Sequence, residues 1–356
     1  MNTFFKPVND TAAIEQLNKE LSADGGRTAV ISGCIDTQKV HISSAVAQNY
    51  KFMLVITSDE AKARNMCDDA AFFNGEALYY PAKDAIFYSA DVTGNQITGQ
   101  RLKCISRLIE HIKAVDSKDG QDGGLLTLVT TIDGVSDRLV PLKRDMESVI
   151  TIDSTSEIDT EKLAKKMVQM GFTRTGMVED KGQFSIRGGI IDIFSYTDEA
   201  PVRIELWDTE VDSIRMFDAE SQRSIEKLKS YHIFPATEFL FTEEEKQAGL
   251  DKIRKERDEQ LECFDYGKRK RTQEQIEAGN NINKLVGDVE RTGNYSKFLD
   301  TIIKDTAGLI EYFPVEDTLI VLDEPNRLKE CNELTLYEYG ESMKNRLAAG
   351  YVLPSQ

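Results

Sequence analysis

The fold turns on one stretch, "TLIVLDEP", residues 318–325. Thr318-Leu-Ile-Val-Leu322 is a short apolar run without polar alternation, the pattern of a strand covered on both faces in a parallel sheet. It ends in Asp323-Glu324, and Pro325 follows. Such a strand needs parallel neighbours, and the flanking residues supply none. The candidates lie far upstream, at Thr28–Ile31, Phe52–Thr57, Ala77–Tyr80 and Leu125–Thr130. They alternate with helical patterns at Thr11–Ser22, Val40–Asn49, Glu60–Phe73 and Gln96–Val115, and in the last of these Leu102, Ile105, Leu108, Ile109 and Ile112 share one face. Strand–helix alternation predicts an α/β sheet domain. The economical reading has residues 318–322 complete the sheet begun at residue 28. One domain is then split into residues 1–135 and 312–356, with residues 136–311 inserted.

The inserted stretch changes character twice. Residues 136–230 read as an α+β domain. A helix over Asp159–Met170 carries Leu163, Met167 and Met170 as its stripe and has Gly171 where a C-terminal glycine belongs. Short strands follow at Gly182–Arg187, Ile190–Phe194, Val202–Trp207 and Glu210–Phe217. Asp208-Thr209 joins the last two as a hairpin. Residues 231–311 read as a mainly helical insertion, broken around Gly279-Asn-Asn281 and Gly293-Asn294. Lys118–Gly124 is a loop by composition.

Residues 32–43, "SGCIDTQKVHIS", stand where a phosphate-binding loop would follow the first strand. Such a loop, G-x-x-x-x-G-K-[ST], aims backbone N–H groups and a lysine at phosphates and uses its hydroxyl on magnesium. Gly33 and Lys39 are present. Gln38 replaces the glycine beside the lysine and puts a side chain into the cradle. Val40 replaces the hydroxyl residue and cannot ligand a metal. Asp323 and Glu324 match the acidic pair that, in an intact site, holds the metal through water and polarises the attacking water. The expectation is a P-loop NTPase-like (RecA-like) sheet domain that has degenerated, without present ATP hydrolysis. A motor of this type also needs arginines from a second α/β lobe, which is expected to lie outside this chain.

Composition narrows the function further. Among 356 residues the formal charge is -17, which opposes tight nonspecific binding to nucleic acid by the whole chain. The concentrated basic run is Lys268–Arg271, with Lys252, Arg254, Lys255 and Arg257 upstream; interleaved acids at 256, 258 and 259 also suit a solvated helix face. No apolar run reaches membrane-span length and no signal peptide is evident. Five scattered cysteines suit free thiols in a reducing cytoplasm. His41, His111 and His232 are far apart, and no metal set or catalytic residue stands out.

Residues 182–194, "GQFSIRGGIIDIF", with 201–218, "PVRIELWDTEVDSIRMFD", and Ser221-Gln-Arg223 are more specific than the loop. They closely resemble the second domain of the bacterial transcription-repair coupling factors (Mfd), which the excision-repair protein UvrB shares. The likeness extends over essentially the whole chain and is weakest over 230–311. It implies a UvrB-like N-terminal portion: residues 1–135 with 312–356 like UvrB domain 1A, 136–230 like the UvrA-binding domain 2, and 231–311 like domain 1B. It implies a cytoplasmic, non-catalytic module that recruits UvrA to damage-stalled RNA polymerase. No cofactor is expected here; ATP and Mg2+ would serve a motor elsewhere in the full-length protein. RNA polymerase and duplex DNA would be engaged by other modules, and the full-length protein's own C-terminal domain would mask the UvrA surface at rest. The degenerate loop sides with the coupling factors, as does the short span between Tyr88 and Gln100, which lacks room for UvrB's strand-separating hairpin. The alternative is a UvrB-like, nucleotide-dependent DNA-remodelling subunit.

Strand alternation then selects a face. Val202, Ile204 and Leu206 point one way, with Phe184 and Ile186, toward the helix near 160. Arg187, Arg203 and Trp207, the chain's one tryptophan, point the other. Arg and Trp dominate interface hot spots, and the resemblance assigns two arginines and an aromatic at these positions to UvrA contact. The competing expectation is that Trp207 folds into a crevice and both arginines pair with Glu205 or Asp208.

Overall fold

The computed structural model describes residues 3–21, 28–83, 91–116, 124–264 and 271–356. By its internal contacts the chain divides into two units.

The first unit comprises Met1–Lys83, Cys104–Asp137 and Leu309–Thr335. Its centre is a four-stranded parallel sheet in the order Thr318–Leu322, Phe52–Thr57, Leu126–Thr131, Ala77–Tyr80. Phe52 pairs with Thr318 on one side and Leu126 on the other. Every residue of Phe52–Thr57 and of Leu126–Thr131 is buried, as strands covered on both faces require. Helices Asp36–Ala47 and Glu60–Asn74 bring Val40, Ala63 and Met66 against Met53, Val55 and Val129. The second helix starts where the Asp59 carboxylate accepts from the Lys62 amide. Thus residues 318–322 do return to the sheet left at residue 131, and the α/β class with a parallel sheet is as expected.

Three sequence expectations differ from the structure. Thr28–Ile31 is not a buried strand: it joins no ladder, and Val30 is 90% exposed. A strand is stabilised by its neighbours, and four apolar residues without a partner have nothing to fix them in that state. Thr318–Leu322 is likewise not covered on both faces: among the described residues no strand lies on its outer side, and at this edge of the sheet Ile320 and Leu322 are exposed. The helix expected from Val40 begins earlier, at Asp36, so the loop's Gln38, Lys39 and Val40 are helical.

The second unit comprises Asp84–Lys103, Arg138–Gly308 and Leu336–Gln356. Its six-stranded sheet runs Ser224–Lys227, Glu210–Phe217, Val202–Trp207, Ile190–Phe194, Gln183–Arg187, Thr173–Arg174. All pairings are antiparallel except the last. Helix Thr160–Gln169 covers one face, where Leu163 and Met167 share a core with Phe184, Ile191, Ile193, Val202, Ile204 and Ile214. Asp159 caps the helix by accepting from the amides of Glu161 and Lys162. Gly171 then turns the chain at φ 88°, where a Cβ would lie 2.7 Å from that of Thr237.

The rest of this unit contains helices Glu243–Phe264 and Gln273–Thr292 around a core that includes Ile253, Ile282, Val286 and Phe298. A capping box between Thr272 and Gln275 starts the second helix, and Gly293 ends it at φ 65°. The break expected at Gly279-Asn-Asn281 does not occur, because the helix runs through it. Gly279 is a packing residue: a Cβ there would meet Leu261 at 3.3 Å. Asn281 faces inward and donates from Nδ2 to the Ala349 carbonyl at 2.9 Å. Most of the loop read at Lys118–Gly124 and most of the basic run at 268–271 lie outside the described residues. Among the described residues no helix is long and apolar enough to cross a membrane.

Candidate functional site

The six-stranded sheet has one helix-covered face, so its other face is the place to look for function. The ladder puts Ser185 opposite Asp192 and Asp192 opposite Arg203. It likewise puts Arg187 opposite Ile190, and Ile190 opposite Glu205. With a side-chain period of two, Arg187, Asp192, Arg203, Glu205 and Trp207 all emerge on this uncovered face. Two tight connections, at Gly188-Gly189 and Asp208-Thr209, close the same end of the sheet. Gly188 has φ 60° and Asp208 φ 59°. A Cβ on Gly189 would lie 2.8 Å from the Leu206 carbonyl oxygen, so only glycine permits this approach. Arg187 and Trp207 therefore stand beside the turns at one end, roughly two strand spacings, ~10 Å, apart across the sheet.

The charges on this face are ordered. Arg203 donates from Nε to Asp192 Oδ1 at 2.6 Å and from Nη2 to Oδ2 at 2.8 Å. Arg187 Nη2 donates to the same Oδ2 at 2.8 Å. Arg203 Nη2 also reaches Gln222 Oε1 at 2.8 Å, and its guanidinium carbon sits 4.3 Å from the centre of the Phe217 ring. The hydrogen bond to Asp192 raises the pKa of Arg203 above its ordinary value against the opposing effect of burial. Farther along the strand, Glu205 accepts from Ser213 at 2.7 Å and from both terminal nitrogens of Arg215. Its carboxyl is held below the usual range, chiefly by the Ser213 hydrogen bond. The pairing of the arginines with Glu205 or Asp208 weighed from sequence is replaced by pairing with Asp192. Trp207 occupies no crevice; it is 80% exposed.

The second candidate is the loop of the first unit. Gly33 adopts φ 81°, and the helix begins at Asp36. Gln38 is exposed on the first turn, and Val40 is buried among Met53, Val55 and Met66. Lys39 Nζ lies 2.9 Å from Asp323, 3.2 Å from Glu324 and 3.1 Å from Asp36. Lys62 Nζ lies 2.6 Å from Asp323 and 3.4 Å from Glu324. Thr57 Oγ1 donates to Asp323 at 3.1 Å. Burial opposes the charges of both Lys39 and Asp323, but hydrogen bonds win: Lys39 is raised, first by its bond to Asp323, and Asp323 is lowered, first by its bond from Lys62 and then by that from Lys39. Glu324 is lowered, first by its hydrogen bond from Lys39. The site residues are thus brought together, but their charges are spent on one another.

A sequence model of the UvrB interaction domain matches residues 150–239. Over 99% of its length the chain is 31% identical to the transcription-repair-coupling factor of Bacillus subtilis (strain 168), covering 29% of that protein. Along nearly its whole length this chain is similar to one part of the transcription-repair coupling factors. The factors of Staphylococcus aureus strains Mu50 and USA300 are each 28% identical over 92% of the chain, which covers 27% of each. The chain therefore spans less than a third of the relatives it matches.

The matched UvrB interaction domain contains the whole uncovered face, Arg187, Asp192, Arg203 and Trp207 included, and none of the loop residues Gly33, Gln38, Lys39 and Val40 or the pair Asp323 and Glu324. Sequence reasoning missed Asp192, Gln222 and Lys62. Asp192 was within reach, because it is the acid in an otherwise apolar strand and shares the parity of Ile190 and Phe194. Nothing in the sequence points to Lys62. The basic residues of helix Glu243–Phe264 are engaged locally: Arg254 with Glu290 at 2.7 Å, Lys255 with Glu259 at 3.7 Å, Arg257 with Asp258 at 2.8 Å, and Lys252 with the Thr301 carbonyl.

Proposed function

We propose that this chain is a protein-docking module whose uncovered sheet face, built on Arg187, Arg203 and Trp207, binds UvrA and recruits it to RNA polymerase stalled at DNA damage. The observation that carries this reading is Trp207 standing in solvent beside a charge-ordered arginine cluster. A bare tryptophan on a monomer surface costs solubility, and Trp and Arg are the types that dominate interfaces. The UvrB interaction domain around them supports the same partner. The first unit, with its parallel sheet and acidic strand end, is read as a degenerate RecA-like scaffold split by the inserted α+β and helical parts, and it performs no chemistry. Polymerase and duplex DNA are assigned to other parts of a longer protein.

The test is binding of purified UvrA to the chain and to Arg187→Ala, with unfolding followed in parallel. Loss of affinity in a folded variant supports the reading; undiminished affinity ends it. The survival of Lys39 against Asp323 and Glu324 favours the second reading, a UvrB-like nucleotide-dependent remodelling subunit. That reading requires ATP to displace the internal ion pairs, and a calorimetric titration with ATP and magnesium decides it.

A further inference from the structure

The two arginines of the docking face are not equivalent. Arg203 is 12% exposed at its side chain and is held from several sides at once: bidentate on Asp192, shared with Gln222, and stacked over Phe217. Gln222 itself adopts φ 59°, a left-handed conformation uncommon for its type, and its side-chain Oε1 accepts from Arg203. Little of Arg203 is left for another molecule. Arg187 is 46% exposed and spends one of the five N–H groups of a guanidinium on Asp192. Asp192, 2% exposed, is the hinge between them: a buried carboxylate is tolerated only when paired, and Arg203 supplies the larger share of that pairing.

We propose that Arg203 and Asp192 form a positioning pair that does not meet the partner but fixes Arg187, whose free N–H groups receive a carboxylate on the partner beside Trp207. Arg203 supplies two of the three hydrogen bonds on Asp192, and Asp192 in turn holds one terminal nitrogen of Arg187, so the outward edge of Arg187 is set before docking. Pre-ordering a long side chain removes part of the entropy lost on binding. This inference rests on the docking reading above.

The experiment is a double-mutant cycle in the full chain, with UvrA affinity measured by calorimetry and unfolding midpoints recorded for each variant. Arg203→Met, which keeps the stem and removes the fork, is expected to weaken binding roughly tenfold when Arg187 is present. In an Arg187→Ala background the same change is expected to alter affinity by less than about twofold, since its effect passes through Arg187. Asp192→Asn should show the same dependence on background. Arg203→Lys, which retains charge without the bidentate fork, should fall between wild type and Arg203→Met; where Arg203→Met does not fold, the cycle is completed with it. An equal loss in both backgrounds overturns the proposal, because Arg203 then touches the partner itself. Wild-type affinity in Arg187→Ala overturns instead the docking reading on which the pair depends.

Discussion

The Lys62 ammonium lies 2.6 Å from the Asp323 carboxylate and supplies, from within the chain, the positive charge that a metal would bring to an acidic strand end. Lys39 closes the other oxygen at 2.9 Å. A nucleotide entering this loop would have to break both pairs and find a hydroxyl ligand that Val40 cannot provide. Titration with ATP and magnesium is therefore expected to give no heat beyond dilution.

Stability carries the same signature. Asp323 has a folded pKa below its unfolded value of 3.8, so its ionised form stabilises the protein above that pH. The contribution fades as pH falls through the folded value. Lys62→Met should lower stability by about 1–3 kcal/mol at neutral pH by leaving the buried carboxylate with less compensation. Asp323→Asn in the Lys62→Met background should recover part of the loss. Urea unfolding at pH 7 and pH 3 checks both; a Lys62→Met effect unchanged at pH 3 would show that the pair is not its source.

Trp207 offers an internal reporter, being the chain's one tryptophan and exposed. Its emission should be that of a water-exposed indole and freely quenched by iodide. Addition of UvrA should shift the emission to the blue and protect it. Trp207→Ala should weaken binding by about 2 kcal/mol or more and change unfolding by less than about 0.5 kcal/mol. A tryptophan that stays fully quenchable in the complex lies outside the contact.

Tyr231 donates to Asp198 at 2.5 Å in the same unit. Burial raises the Asp198 pKa, and hydrogen bonds from Tyr231 and Thr197 only partly offset it. Here the folded state favours the protonated carboxyl, so the group's contribution declines as pH rises through its two pKa values. Asp198→Asn keeps an acceptor for Tyr231 without the charge. It should be neutral or stabilising at pH 7 and lose that advantage near pH 3, as differential scanning calorimetry at the two pH values can show.

How much of this was legible in the sequence depends on what each residue answers to. Phe52–Thr57 and Val202–Trp207 were readable because burial on one or both faces is written into their apolar spacing, whereas Thr318–Leu322 was found by its apolar run although it is an edge strand with Ile320 and Leu322 exposed. Thr28–Ile31 has the same spacing and no ladder, since pairing is a property of two segments. The common face of Arg187, Arg203 and Trp207 followed from parity alone. The Asp192 link needed the register of three strands, and the Lys62 link needed a helix packed on a distant strand end.

Glycine was the residue most easily misread from sequence. Gly279 looks like a helix breaker, yet it stands inside Gln273–Thr292 where the missing side chain lets Leu261 approach. On the opposing segment, Gly350 has φ 72°, and a Cβ there would lie 2.2 Å from the Ala278 carbonyl oxygen. Both the conformation and the contact forbid a side chain, and the obstacle is backbone that cannot rotate away. Gly350→Ala should therefore destabilise by more than the ~1 kcal/mol that a compatible Gly→Ala substitution gains, with the helical part of the second unit unfolding first in hydrogen exchange. Gly287, which has open space around its Cβ position within the same helix, supplies the control. Gly287→Ala should stabilise by up to about 1 kcal/mol, because alanine is the better helix former. Equal effects from the two substitutions would mean that close backbone approach and positive φ are not what require glycine at 350.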